Sequence, residues 1–116
     1  MPTRKKSKYN NKIIYRVDGK FDSKGEYSMW LKLKRKEKLG EICNLQRQVP
    51  FVLIPKSKWG RDIKYIADYC FTNSATGEYC VLDFKSDYTE QNAVFKLKFR
   101  LMAELYNIEI KIIKEK

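Results

Sequence analysis

Two apolar segments joined by a short turn are the feature that most constrains the fold. Residues 63–72 and 78–85 are rich in β-branched and aromatic side chains, and the segment between them reads Asn-Ser-Ala-Thr-Gly, a composition typical of turns. Strands joined by so short a connection pair as an antiparallel hairpin. The other elements of the chain are predicted relative to this hairpin.

The segments on either side of the hairpin predict two helices and three further strands. Pro50 interrupts the strand before the hairpin and Pro55 ends it, which favours an edge strand or a bulged one. Asp22 or Ser23 can cap the first helix, and Gly40 ends it. The elements predicted outside the hairpin are a strand at 13–17, a helix from 22 or 23 to 39, a strand at 42–54, a helix at 89–107 and a strand at 108–113. This order predicts a mixed α/β sheet with helices packed against it.

The charge of the chain indicates its partner. The 116 residues include 25 Lys and Arg against 14 Asp and Glu, a formal net charge of +11, and such an excess is typical of proteins that bind the phosphate backbone. Residues 1–12 are basic, carry Lys5, Lys6 and Lys8, and contain no acid. They are predicted to form a flexible arm that contacts DNA, with a solubilising tail as the alternative. A single domain is predicted at 13–116, because this length has room for one core.

The residues that the chain lacks exclude several kinds of chemistry. It contains no histidine, and its three cysteines have no C-x-x-C spacing, so neither a Ser-His or Cys-His nucleophile nor a zinc site is expected. Acid-base chemistry must then come from carboxylates, lysines, tyrosines or metal-bound water. No apolar run approaches the ~18 residues of a membrane span, and no signal segment follows the basic N-terminus. We therefore expect a soluble, intracellular protein without a membrane partner.

Charged residues stand in the hairpin where apolar ones are expected. Strict alternation places Ile66, Asp68 and Cys70 on one face of the first strand and Ala67, Tyr69 and Phe71 on the other. In the second strand, Asp83 and Lys85 point the same way. Ionised groups in such positions cost several kcal/mol unless a partner or a metal compensates. Asp68 and Asp83 come near each other at one end of the hairpin, and two converging carboxylates form a hard oxygen site suited to Mg²⁺ or Mn²⁺.

Lys85 and Glu26 complete the candidate site. Lys85 could orient or deprotonate the attacking water and stabilise the charged transition state. Glu26, on the apolar face of the first helix, could add a further carboxylate, directly or through water. The alternative interpretations are structural: Ser23 and Glu26 have the spacing of a capping box, and the strand residues could form a salt-bridged cluster. The joint pattern of three acids and a lysine favours a catalytic site.

Five segments, spread over nearly the whole chain after the arm, carry a family resemblance. They are FDSKGE at 21–26, LQRQVPFVL at 45–53, YIADY at 65–69, VLDFK at 81–85 and the Lys-rich helix that starts at Thr89. Together they resemble a phage and prophage family of PD-(D/E)XK nucleases. The chain departs from that pattern at Ala67, where the superfamily name has proline, and at Ser86, where many relatives have glycine. Neither departure removes a ligand.

The resemblance implies a restriction-endonuclease-like αβββαβ core and an activity. Glu26, Asp68 and Asp83 would bind Mg²⁺, with Mn²⁺ able to substitute, and Lys85 would assist hydrolysis of DNA. By analogy with Holliday-junction resolvases it further implies a homodimer that selects branched DNA in phage recombination or processing, in the cytoplasm of a bacterial host. No small-molecule cofactor is expected.

Further residues are candidates for contact with DNA, each with a bland alternative. Gln48 is predicted to approach the metal site, unless it only helps to pair its strand. Trp59 and Arg61, in the loop at 55–62, could stack on or enter DNA. The second helix adds Lys96, Lys98 and Arg100, unless these form an ordinary solvated face. Two alternative functions remain: a non-catalytic nucleic-acid-binding phage accessory protein, and the nuclease subunit of a transposition or packaging complex.

Overall fold

The computed structural model describes residues 13–16, 18–85 and 92–114. Its elements are β1 (Ile14–Arg16), β2 (Gly19–Phe21), α1 (Lys24–Lys38), β3 (Ile42–Ile54), β4 (Ile63–Asn73), β5 (Tyr79–Lys85), α2 (Ala93–Tyr106) and β6 (Lys111–Lys114). From α1 onward the order is αβββαβ, which confirms the predicted mixed α/β fold. The predicted arm at 1–12 lies outside the described residues.

The main sheet has four strands in the order β3-β4-β5-β6. The pairs β3–β4 and β4–β5 are antiparallel, whereas β5 and β6 are parallel. Leu82 of β5 packs in the core cluster that contains Trp30 and Leu33 of α1, and Val81 packs in the cluster that contains Met102 of α2. Since successive strand residues face opposite sides, the two helices cover opposite faces of the sheet.

The edge position predicted for the strand around Pro50 is confirmed. β3 is the first of the described strands of the sheet, so among these strands it has a neighbour on one side only. Its pairing with β4 shifts register between Cys43 and Gln46 and again between Val52 and Ile54. An edge strand tolerates proline because one row of its N–H groups needs no partner in the sheet. β3 therefore continues through Pro50 and ends just before Pro55.

Three elements differ from the sequence-based expectations. β2 was not predicted; it pairs antiparallel with β1 through the turn at Asp18 and Gly19. α2 begins at Ala93, after its N-cap Asn92, rather than at Thr89. β6 lies at Lys111–Lys114 rather than 108–113. Within the described ranges, neither helix is long and apolar enough to cross a membrane.

Candidate active site

The side chains of β3 and β4 exchange faces at one step of their pairing. In β4, Tyr69 packs in the α1 cluster but Ala67 packs in the α2 cluster. In β3, Leu45 packs against the α1 cluster but Val49 packs against the α2 cluster. The strict alternation predicted for 66–71 is therefore wrong at this point. The reason is a local break in the strand pair, which sequence periodicity does not reveal.

Gln48 and Asp68 lie opposite each other at this break. Arg47 pairs with Tyr69 and Val49 pairs with Ala67, which leaves the two residues face to face. Gln48 has φ 54°, a left-handed conformation that costs a residue with a side chain on the order of 1 kcal/mol. Its Nε2 donates a hydrogen bond to Asp68 Oδ1 at 3.3 Å. Gln48 therefore contacts Asp68, one of the candidate site residues.

Asp68 stands where β4 and β5 separate. The last residue pair between these strands is Tyr69 with Leu82. One step further, the backbone N–H of Phe84 donates to Asp68 Oδ2 at 2.8 Å. A side-chain carboxylate thus accepts a backbone hydrogen bond just past the end of the β4–β5 pairing. Backbone groups that are not paired need such a partner when water is excluded.

Asp83 lies against Asp68 in the interior. It is 4% exposed, and the Tyr65 hydroxyl donates to its Oδ2 at 2.5 Å. Burial raises the pKa of Asp68 to about 8, and the negative charge of Asp83 raises it further than the Phe84 hydrogen bond lowers it. Without a cation, the Asp68–Asp83 pair therefore resists losing its last proton. The structure brings these two predicted residues together as one coupled pair.

Glu26 approaches the pair from the first turn of α1. Its N–H donates to the Ser23 hydroxyl at 3.1 Å, which is one half of a capping box. Burial raises the pKa of the Glu26 carboxyl, and the charges of Asp22 and Asp83 raise it too, whereas Arg47 lowers it. The charge of Asp83 raises the pKa of Glu26, and the charge of Glu26 raises the pKa of Asp68. The first turn of α1 therefore carries both the helix cap and one acid of the candidate site.

Arg47 was not anticipated from the sequence. Its Nη2 lies 3.9 Å from Glu26 Oε1, and the guanidinium sits 3.8 Å from the centroid of the Phe21 ring. It donates to the backbone oxygens of Lys20 and Asp18 at 2.5 and 3.4 Å. Its Nε is buried and has no hydrogen-bond partner among the described residues. Arg47 thus ties β3 to β2 and places its Nη2 near Glu26.

The signals for the unanticipated residues are weak because their partners are distant in sequence. A Cβ on Gly19, where φ is 120°, would meet Arg47 Nη1 at 2.9 Å, so the turn glycine makes room for the guanidinium. Only the folded register shows this. Tyr65 and Asp83 are 18 residues apart. No local pattern connects them.

A polar cleft opens beside Glu26 and Gln48. It has a volume of about 280 Å³ and is lined by Lys20, Asp22, Glu26, Arg47 and Gln48. Cationic and anionic groups face each other across it. A cleft of this chemistry suits a phosphate group together with a cation better than it suits an apolar ligand.

Comparison with known proteins places the chain in a family. A family model described as "Protein of unknown function (DUF1064)" matches residues 6–115. The chain belongs to the DUF1064 family. No curated protein and no solved structure matches it.

The remaining predicted residues are placed only in part. Lys85 is the last residue of β5, where its backbone pairs with Lys114; its side chain lies outside the described part of the structure. So do Lys5, Lys6 and Lys8 of the predicted arm. Thr89 and Ser86 also fall outside the described ranges.

The basic residues of α2 do not form one face. Lys96 and Arg100 are one turn apart and exposed, but Lys98 projects about 160° away from Lys96, at 100° per residue. Arg100 also pairs with Glu104 at 3.3 Å. Lys96 and Arg100 are therefore the two predicted α2 residues that share an exposed face.

The acids of the site do not form a complete metal cage. Across residues 13–16, 18–85 and 92–114, no three acidic or cysteine side chains stand together as a metal-binding group. Asp68 and Asp83 are coupled, and Glu26 acts on them electrostatically. Mg²⁺ is usually held by one or two carboxylates, water and substrate phosphate rather than by an all-protein cage. The pair with its neighbouring glutamate fits an ion bound in that way.

Proposed function

We propose that this protein is a Mg²⁺-dependent DNA endonuclease of the PD-(D/E)XK type. One observation carries the proposal: carboxylates from α1, β4 and β5 act on one another where β4 and β5 separate, beside a cleft with basic side chains. Buried acids that raise one another's pKa destabilise a protein unless a cation or proton compensates. Such a cluster destabilises the fold and is therefore more typical of a binding or catalytic site than of a structural core.

In this proposal Asp68 and Asp83 hold the ion, and Glu26 reaches it directly or through water. Mn²⁺ would substitute, because it accepts the same oxygen ligands. An ion held by these carboxylates would supply Lewis-acid polarisation of the phosphodiester and would lower the pKa of the attacking water. The fit rests on the shared carboxylate pair, whose mutual repulsion a divalent cation would relieve.

Neighbouring residues position these carboxylates. The Tyr65 hydroxyl fixes one oxygen of Asp83, while Gln48 and the Phe84 N–H each fix one oxygen of Asp68. The guanidinium of Arg47 partly balances Glu26. Lys85, two residues after Asp83 in the same strand, is proposed to orient or deprotonate the attacking water. Side chains held on strands and a helix in this way lose little entropy when the substrate binds.

DNA is the proposed partner because of the charge of the chain. A net charge of +11 favours the phosphate backbone, so binding should weaken steeply with salt. Selectivity for branched DNA, a homodimeric state, and a role in phage or prophage DNA processing in the bacterial cytoplasm belong to the same proposal. They follow from the resemblance to PD-(D/E)XK nucleases.

The test is cleavage of labelled four-way junction, flap and linear duplex DNA with Mg²⁺ or Mn²⁺. Asp83→Ala and Lys85→Ala should each lower the rate by on the order of 10³-fold, because each removes a group needed only for chemistry. Glu109→Ala is the matched control: this exposed acid lies between α2 and β6, outside the proposed site, and the variant should cut DNA at the native rate.

The outcomes separate the candidate functions. Metal-dependent cutting that is lost in both site variants supports the nuclease, and the substrate ranking decides between a resolvase and a general endonuclease. Intact DNA on every substrate, with binding unchanged in the variants, would support the non-catalytic binding protein instead. Cutting that appears only after a phage partner is added would indicate a subunit of a larger complex.

A further inference from the structure

The β3–β4 ribbon continues past the candidate site without β5. Pairing of β4 with β5 ends at Tyr69, whereas pairing of β3 with β4 continues to Ile54 and Ile63. From Gln48 to Ile54 the ribbon spans about 20 Å, at roughly 3.4 Å per residue, which matches about six base pairs of DNA. Its tip lies further out still. The ribbon can therefore reach a substrate well away from the proposed cut.

The tip of the ribbon is a tight, ordered turn. The backbone groups of Ser57 and Gly60 exchange hydrogen bonds of 3.0 and 3.2 Å, and the Trp59 N–H donates to the Ser57 hydroxyl at 3.1 Å. Only Lys58 and Trp59 lie between the paired residues. These three hydrogen bonds fix the backbone of the turn and so the point from which each side chain leaves it.

Trp59 has no role in the core. It is 85% exposed, and Lys58 Nζ lies 4.9 Å from the centroid of its ring. The other tryptophan, Trp30, is 8% exposed and donates its indole N–H to Asp18 at 3.0 Å. A large aromatic side chain left in water contributes nothing to folding that a smaller residue would not. Its position on a rigid tip is that of a contact residue.

The surroundings of Trp59 are basic. Residues 55–64 include four basic side chains and one acid, and all ten residues are exposed. The acid, Asp62, is already paired with Lys64 at 3.6 Å. Lys56, Lys58 and Arg61 flank the indole in sequence. An exposed aromatic ring among cations matches the chemistry of single-stranded nucleic acid, where bases stack on rings and phosphates pair with cations.

We propose that Trp59 stacks on an unpaired DNA base, at least about six base pairs from the cut. The inference rests on the proposed nuclease function and names its substrate class: duplex DNA that carries an unpaired segment, such as a gap or a flap. The basic flanks contact phosphates of either kind of DNA. Trp59 supplies the preference for the unpaired base.

Binding is measured on the full chain with EDTA, so that no DNA is cut. Two labelled DNAs are compared, a continuous duplex of about two helical turns and the same duplex with a short single-stranded gap. Gapped DNA should quench the emission of the exposed Trp59 and leave that of buried Trp30. Trp59→Ala should weaken binding of gapped DNA by at least about five-fold and change duplex binding less than about two-fold.

Two variants keep the test specific. Trp59→Phe retains a ring and should restore most of the affinity for gapped DNA. Lys58→Ala should weaken the binding of both DNAs by the same factor, because it removes a phosphate contact. Thermal unfolding should be unchanged in all three variants, since these side chains are exposed.

Other outcomes overturn the inference. If Trp59→Ala loses affinity equally for gapped and continuous DNA, the indole does not stack on an unpaired base. A blue shift of Trp59 emission on phosphatidylglycerol vesicles, without quenching by DNA, would identify a lipid surface as the ligand. Failure here while Asp83→Ala still abolishes cutting would leave the nuclease proposal standing. If Trp59→Ala selectively weakens binding of gapped DNA but no metal-dependent cutting is found, the nuclease proposal fails and the base-stacking proposal stands.

Discussion

The two ends of the β3–β4 ribbon are built from the same strands but surrounded differently. The inner end, residues 42–47 with 69–73, pairs with β5 and packs in the α1 cluster. The outer end, residues 49–54 with 63–67, packs one face toward α2 and leaves Val52, Ile54, Ile63 and Ile66 exposed. The candidate site lies at the boundary, where Gln48 faces Asp68.

This difference separates stability from function along one ribbon. Buried apolar area stabilises the inner end, at roughly 25 cal/mol per Å². The outer end buries less, so its exposed face is free to contact a partner. The strained backbone of Gln48 and the clustered acids lie next to the inner end, whose packing can maintain these unfavourable conformations. The predictions below are ordered by their expected effect on the free energy of unfolding.

The largest effect is expected at the inner end. Phe71→Ala should lower the free energy of unfolding by about 3–5 kcal/mol, because it leaves a cavity in the α1 cluster. Ile66→Ala, at the outer end, removes a side chain that is 53% exposed and should cost less than about 1 kcal/mol. Urea titrations of both variants measure the contrast. Equal losses would mean that the outer end carries as much stability as the inner end.

The next effect concerns the left-handed residue at the boundary. Gln48→Val should lower the free energy of unfolding by about 2 kcal/mol, because a β-branched side chain fits poorly at φ 54° and the bond to Asp68 is lost. Gln46→Val, at an exposed position two residues earlier without positive φ, is the matched control and should be nearly neutral. If both variants unfold alike, the backbone at Gln48 is not strained.

Local patterns predicted most of the fold. Ser23 caps α1 as expected, and a glycine follows the end of the helix. Both could be predicted because capping depends on residues within one helix turn of each other. The two hairpin strands lie where strand composition placed them. β2 was missed because three residues carry no measurable periodicity. The start of α2 was misplaced because Asn92, a better cap than the sequence around Thr89 suggested, satisfies the first helix N–H groups.

Only the part of the candidate site that depends on local geometry could be predicted from the sequence. The hairpin turn sets the register that brings Asp68 near Asp83, so this pair followed from the sequence. The face exchange at Gln48 did not, because alternation assumes an unbroken strand. Arg47 and Tyr65 contact residues 21 and 18 positions away, Glu26 and Asp83. Such contacts exist only after the sheet and helix have packed.

A smaller effect with a defined sign is expected at Asp68. Its raised pKa of about 8 means that the folded state holds a proton more tightly than the unfolded state, where an aspartate titrates near 3.9. The proton's contribution to stability is complete below about pH 4 and is lost as pH rises through about 8. In EDTA the native chain should therefore become less stable across this window.

Asp68→Asn tests that prediction, because an amide resembles the protonated acid. At pH 4 it should unfold like the native chain, and at pH 8 it should be more stable by at least about 1 kcal/mol, or 4–8 °C in Tm. Mg²⁺ should raise the Tm of the native chain at pH 8 and leave that of the variant unchanged. A variant that is less stable at pH 8 would show that the ionised acids are already compensated within the protein.

The smallest effect compares one hydroxyl at each end of the ribbon. Tyr106 donates to the Val52 carbonyl at 2.6 Å on the exposed outer end, and buried Tyr69 donates to the Glu26 carbonyl at 2.5 Å on the inner end. Tyr106→Phe should cost only about 0.5 kcal/mol, because water replaces the lost donor, whereas Tyr69→Phe should cost about 1–2 kcal/mol. Paired urea titrations check this. A larger loss for Tyr106→Phe would mean that α2 holds the outer ribbon through this one bond, and that the exposed end depends on it for its shape.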